Sequence, residues 1–155
     1  MSYHKVYLKP GKEESLKRFH PWIFSGAIAR FDSDPDEGEV VEVYTSKKEF
    51  IAKGHFQIGS IAIRVLTFKQ EPIDTDFWKR KLQIAYDMRK AIGIAVNPDN
   101  NTYRLVHGEC DNLPGLDIDV YAGTAVMQAQ SAGMHVDRMA IAEALGEVMK
   151  DSVKN

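Results

Sequence analysis

Residues 104–119 read Arg-Leu-Val-His-Gly-Glu-Cys-Asp-Asn-Leu-Pro-Gly-Leu-Asp-Ile-Asp, and they constrain the fold more than any other stretch. Leu105 and Val106 begin an apolar run that Gly108 breaks. Leu116, Ile118 and Val120 then alternate with Asp117, Asp119 and Tyr121, the period of a strand with one wet face. Residues 112–115 between them are dense in turn chemistry: Pro114 fixes one φ, and Asn112 and Gly115 tolerate a left-handed one. The segment predicts strand, turn, strand. It also crowds four carboxylates, Glu109, Asp111, Asp117 and Asp119, around the single cysteine, Cys110.

That cluster invites three chemical readings, and each has a plainer rival. A nucleophilic Cys110 needs a base or a positive field, yet its immediate neighbours are two acids that would raise the thiol pKa. Asp117 and Asp119 lie two apart and share a strand face, which permits a metal; the alternation explains them more simply as a solvated face. Residues 126–133 could pass for a nucleotide-binding strand-loop-helix, but one glycine, Gly133, stands where such loops need several. No catalytic, metal or cofactor residue is therefore assigned.

The front of the chain reads as short strands punctuated by turns. A first strand covers 4–9, Pro10-Gly11 ends it, and 13–18 supply a helical turn. Pro21 holds His20 extended. Phe19, Trp22 and Phe24 are too dense for a solvated loop and are expected to seat this segment in a core. Residues 32–39 form an acidic turn whose spacing does not fit a calcium loop. Strands follow at 40–44, 50–56, with Gly54 as a bulge or bend, and 61–68. Residues 70–73 mark a boundary. Asp74 or Asp76 caps a helix over 77–92, where Trp78, Leu82, Ala85, Met88 and Ile92 keep helical spacing and Gly93 closes the end. Strands at 103–107, 116–121 and 124–130 lead to a second helix over 136–149 that buries Ile141, Leu145 and Val148.

Two stretches carry a resemblance to a known family. Residues 104–119 resemble the Arg-Leu-Val-x-Gly-Glu-x-Asp-Gly-Leu-Pro-Gly-Leu-x-x-Asp segment of bacterial S-adenosylmethionine-dependent cytosine-5 methyltransferases of large-subunit ribosomal RNA. These enzymes carry an N-terminal PUA domain. Cys110 and Asn112 depart from the pattern, where the family has a small residue and a glycine. Residues 8–12 and 17–28 are similar to the opening of that PUA domain, and 53–55 and 60–65 to its second half. The resemblance implies a mixed α/β (α+β) chain: a small PUA-like RNA-binding β-barrel over 1–70, an α+β linking domain of helix, strands and helix over 73–150, and a polar tail at 151–155. It further implies that a Rossmann-like methyltransferase domain, with the family's cofactor loop and catalytic cysteine, is absent, so that this is the front part of a longer enzyme. S-adenosylmethionine would then serve the parent and no cofactor would serve this fragment, which alone would be inactive.

Charge distribution fits such a role better than the total does. Net charge is −2, but it is +4 over residues 1–30, −6 over 31–46, +5 over 47–90 and −5 over 91–155. Phosphate needs a local positive field, not a basic total, although patchy charge is also common on ordinary surfaces. The expected partner is structured ribosomal RNA. Its expected contacts are Lys9, Lys12, Lys17, Arg18, His20, Trp22, Lys53 and Arg64, with cations on phosphates and an exposed ring on an unpaired base. Arg64 has an equal rival reading as an ion-pair partner of a nearby acid. The basic face of the 77–92 helix reads as solvated, with RNA contact as its rival. No membrane span and no secretory h-region appear, and one cysteine forms no internal disulfide, so a cytoplasmic location is expected. Two other functions compete: a small hydrolase using the four carboxylates, and a protein-interaction module docking through the 77–92 helix.

Overall fold

The structure, a computed structural model, describes residues 2–155. The chain divides into two compact units, 1–71 with 131–136, and 72–130 with 137–155. Its architecture is the mixed α/β class expected.

The first unit is one six-stranded sheet. In chain order its strands are β1 (His4–Leu8), β2 (Trp22–Phe24), β3 (Ile28–Phe31), β4 (Val40–Tyr44), β5 (Phe50–Phe56) and β6 (Ile61–Thr67). They lie side by side as β2-β6-β5-β4-β1-β3, with β1 and β4 parallel and every other pair antiparallel. A short helix, α1 (Glu14–Lys17), follows β1. One side of the sheet encloses a core of Val6, Leu8, Leu16, Ile23, Val41, Val43, Ala52, Ile63 and Val65. Alternation did its work here: β1 sends Val6 and Leu8 inward and leaves Lys5, Tyr7 and Lys9 outward or at the surface. The register slips between Lys53 and Gly54, as the glycine predicts. A Cβ at Gly54 would lie 2.3 Å from the Arg64 carbonyl oxygen, so the two backbones approach as only glycine allows.

Two features of this unit depart from the sequence reading. Residues 22–31 carry two strands and an intervening 3-10 turn where no strand was expected, because each strand is only three or four residues long. The second is a return of the chain. The helix expected over 136–149 is two helices, α3 (Ala132–Val136) and α4 (Arg138–Val148), and residues 131–136 pack with the first unit. There Gln57 Oε1 accepts the Ala132 N–H at 3.3 Å, and Gly133 lies against the buried His55 ring.

The second unit holds α2 (Thr75–Ala91), β7 (Thr102–His107), β8 (Leu116–Tyr121), β9 (Thr124–Ala129) and α4. The sheet is antiparallel, in the order β7-β8-β9, and α2 packs beside α4. Asp74 caps α2, its carboxylate accepting the Phe77 N–H at 2.9 Å. Gly93 takes φ +75° just past its end, and Asn112 takes φ +55° in the turn before β8. The buried side of α2 is Phe77, Trp78, Leu82, Ala85 and Arg89. Met88 and Ile92, expected inside, are 44% and 59% exposed and continue a stripe from Ile84. Arg89 displaces them because Asp111 waits for it inside the unit. In α4, Ile141 and Leu145 are buried as expected, whereas Val148 is only half-buried and Ala144 takes its share of the core.

Acid should expose one contribution to this unit. Arg104 Nε donates to Asp119 Oδ1 at 2.8 Å and its Nη2 donates to Oδ2 at 3.0 Å. The guanidinium hydrogen bond, with its charge added and burial opposing, holds the Asp119 carboxyl below the ordinary value of 3.8. A lowered folded value means the folded protein gives up this proton more readily than the unfolded chain. The stabilisation is complete above the unfolded carboxylate value of about 3.9 and is lost as pH falls through the folded one. Asp119→Asn should therefore lower the urea midpoint at neutral pH and make its decline below about pH 4 shallower. Acid limbs that superimpose for both proteins would contradict this.

Candidate nucleic-acid interface

The turn between α1 and β2 builds the most distinctive surface of the first unit. At its start Phe19 adopts φ +61°, a left-handed conformation that bulky residues rarely take. It closes the end of α1 as a glycine commonly would, with its N–H donating to the Leu16 carbonyl at 2.9 Å. Its ring is 72% exposed and meets Phe68 edge-on at 5.2 Å. Such strain costs roughly 1–3 kcal/mol and is held only where the surroundings fix it.

After that turn, β2 alternates. Ile23 enters the core, so Trp22 and Phe24 leave it. The expectation that Phe19, Trp22 and Phe24 seat the segment inside is thus corrected: Ile23 alone is fully buried there, Trp22 is half-buried and Phe24 is 49% exposed. His20 stands beside them, accepting the Trp22 N–H at Nδ1 (3.2 Å), with its ring 6.0 Å from Trp22 and 6.4 Å from Phe24. Trp22 and Phe24 are edge-to-face at 6.5 Å.

These rings open onto a cleft of about 540 Å³. Lys12, Arg18, His20, Trp22 and Phe24 line it, with the Glu14 carboxylate and Ser15 on the helix side. Among the described residues no carboxylate pairs with Lys12 or Arg18. Glu14 is partly neutralised, since Lys17 Nζ donates to its Oε1 at 2.8 Å and holds that carboxyl below its usual range. Lys9 sits at the rim, its Nζ donating to the Gly26 carbonyl at 2.9 Å.

Four of the eight expected contacts, Lys12, Arg18, His20 and Trp22, therefore line one cleft, and Lys9 and Lys17 flank it. Lys53 and Arg64 do not join them. Lys53 is 4% exposed, its Nζ donating to the Glu71 carbonyl at 2.8 Å, pairing with Glu42 at 3.2 Å and lying over the Tyr3 ring. An ammonium so enclosed holds the chain where it leaves the sheet and has no path to a phosphate. Arg64 pairs across strands with Trp22 and shares its face, but its Nη1 donates to Gln57 Oε1 at 3.0 Å. That partner is an amide, so the acid pair weighed for Arg64 is not the contact it makes. Phe24 lines the same cleft and was not among the expected contacts. The signal that could have found it is parity: if Ile23 points inward, Phe24 cannot.

The carboxylate cluster does not form a pocket. Asp111 is clamped by Arg89, with Arg89 Nη2 donating to Oδ2 at 2.8 Å. Asp119 belongs to Arg104, and Asp117 accepts from the Gln130 amide at 2.6 Å. Cys110 is exposed on the 3-10 turn over Gly108–Asp111. The hydrolase reading required two of these carboxylates to converge, and Asp111, Asp117 and Asp119 instead each have a partner of their own.

Residues 6–68, which hold most of this sheet and the cleft beside α1, match the PUA-like domain family. The whole chain has relatives as well. It is 42% identical over 148 residues to the ribosomal RNA large subunit methyltransferase I of Aliivibrio fischeri, covering 94% of this chain and 37% of that protein. It is 43% identical over 142 residues to the methyltransferase of the same name from Aeromonas hydrophila, covering 90% of this chain and 35% of that protein. A solved structure from Streptococcus mutans, described as a SAM-dependent methyltransferase, has the same fold, with a TM-score of 0.81 at 19% identity over 96% of this chain and 38% of its own. The resemblance to PUA-containing large-subunit ribosomal RNA methyltransferases is thus borne out across nearly all of this chain, which spans little more than a third of the relatives' length.

Proposed function

We propose that this chain is the RNA-docking part of a large-subunit ribosomal RNA methyltransferase, and that the cleft beside α1 holds the RNA. The observation that carries the reading is the convergence of Lys12, Arg18, His20, Trp22 and Phe24 on one cleft. Phosphates meet Lys12 and Arg18, Lys9 extends the positive rim, and an unpaired base lies against His20 or Phe24. Ser15 and Glu14 offer acceptors to a base amine or a ribose 2′-hydroxyl. Methyl transfer from S-adenosylmethionine to a cytosine would belong to the portion of the parent that matches the rest of the relatives' length. In this chain the sheet of the second unit is antiparallel, unlike the parallel βα series on which nucleotide-type cofactor loops are built. The second unit would link the docking unit to that portion.

Titration of a labelled ribosomal RNA fragment at two salt concentrations tests the proposal. Binding should be micromolar or weaker and should weaken steeply with salt. Arg18→Ala should lower affinity and reduce the salt slope by about one. Phe24→Ala should weaken binding about tenfold, the loss of one stacked base, and leave the slope intact. Affinity indifferent to salt, or unchanged in both variants, would sink the reading.

A further inference from the structure

A second surface of the first unit has the chemistry of a nucleic-acid platform. It lies on the outer side of β3, β1, β4 and β5, where neighbouring register positions Arg30, Tyr7, Tyr44 and Phe50 form a row across four strands. The Arg30 guanidinium stacks over the Tyr7 ring at 3.9 Å. Tyr7 and Tyr44 are 5.7 Å apart and inclined by 32°, and Phe50 meets Tyr44 edge-on at 5.9 Å. Lys5 Nζ lies 5.7 Å from the Tyr44 ring. Lys47 and Lys48 are exposed in the turn that joins Tyr44 to Phe50.

The state of these cations separates the surface from ordinary sheet decoration. Among the described residues no carboxylate pairs with Arg30 or with the Lys5 ammonium. Arg30 is exposed, so one face of its guanidinium rests on Tyr7 while the other face and its N–H donors meet water. Acids nearby are mostly occupied. Glu42 is buried, pairs with Lys53 and accepts the Tyr44 hydroxyl at 2.8 Å, while Asp32 accepts the Lys5 backbone N–H at 2.8 Å. Glu49 is the exposed acid of the turn, follows the two lysines in sequence and acts electrostatically on Lys17. A guanidinium stacked on half-buried Tyr7, with tilted and edge-on rings beside it and cations that no carboxylate pairs, fits a strand whose bases are splayed out and whose phosphates run alongside.

Lys5 and Tyr7 share one side of β1, and Lys9, just past its end, bonds the Gly26 carbonyl on the cleft wall. We propose that this face is a second RNA-contact surface, a stacking platform for an unpaired segment of the same RNA that the cleft holds. The inference rests on the RNA reading of the cleft. It adds a partner chemistry, single-stranded RNA on Arg30 and Tyr7, that the cleft does not supply.

The test compares the chain's affinity for a ribosomal RNA hairpin with and without an oligouridine tail, the tail placed at either end. In the unmodified protein the tail on one end should tighten binding about tenfold. Arg30→Ala should abolish that gain while leaving the tail-less hairpin within about twofold of its original affinity. Arg30→Lys should keep only a minor part of the gain, because an ammonium cannot stack as a plane. Lys5→Ala should lower the salt slope by about one for the tailed RNA alone. No gain from a tail at either end, a full gain in Arg30→Ala, or equal losses for both RNAs would overturn the proposal. A hairpin that binds without any tail effect sinks the platform only; a hairpin that does not bind sinks the cleft reading and the platform with it.

Discussion

Gly133→Ala should be among the most damaging single-atom additions to this protein. Alanine normally stabilises a helix over glycine by about 1 kcal/mol, so propensity predicts a gain in α3. Packing reverses the sign. A Cβ at this position would lie 2.0 Å from His55 Cγ and 2.4 Å from His55 Cβ and Nδ1. His55 is 1% exposed on β5, between Gly54 and Phe56, so its ring has nowhere near to go. Relief requires that residues 131–136 lift off the sheet. That would give up the Gln57–Ala132 hydrogen bond and the seat of Val136, whose Cγ2 already sits where a Cβ on Gly38 would be. Overpacking of this kind costs about 3 kcal/mol. In a unit of this size the melting temperature should fall by roughly 10–20 °C. His55→Gly combined with Gly133→Ala should recover part of the loss, because the two Cβ atoms that would meet at 2.4 Å are then not both present. A melting curve for Gly133→Ala alone that matches the parent would refute the packing argument.

The second large effect lies in the other unit. Arg89 and Asp111 have side chains 10% and 2% exposed. Arg89 Nη1 and Nη2 both donate to the carboxylate, and its Nε donates to the Arg104 carbonyl at 3.2 Å. Asp111 also accepts the His107 N–H. One ion pair therefore ties α2 to β7 and to the turn before β8. Arg89→Ala leaves a carboxylate enclosed with no cation and should cost about 3–5 kcal/mol. Replacing both partners, Arg89→Met with Asp111→Leu, should cost far less, since no unpaired charge then remains. Denaturant unfolding of the singles and the double gives the comparison. Equal losses in the single and double variants would show that the contribution is packing and not charge.

Legibility in the sequence followed how local each cause was. The strands at 40–44, 50–56 and 61–67 were readable because alternation and turn residues lie within each segment. The Asp74 cap, the Gly54 bulge and the left-handed Asn112 were readable because one side chain, or its absence, decides each. The cleft was half-readable. Basic residues and rings crowd 9–24, but which of them face water depends on where β2 sits against β6. Lys53 illustrates the failure. By residue type it belongs on the surface, and it is buried because Tyr3 and Glu71, distant in sequence, close over it.

The sequence by itself determined the class of the fold, the positions of most strands and of α2, and the resemblance to ribosomal RNA methyltransferases, because periodicity, caps and motif residues act over a few neighbours. Only the tertiary structure decided that residues 131–136 return to the first unit, that Arg89 and not Met88 faces inward, and that Arg30, Tyr7, Tyr44 and Phe50 stand in one row. Those three outcomes are set by pairings across long stretches of chain, where the energy of a contact depends on a partner that no local pattern names.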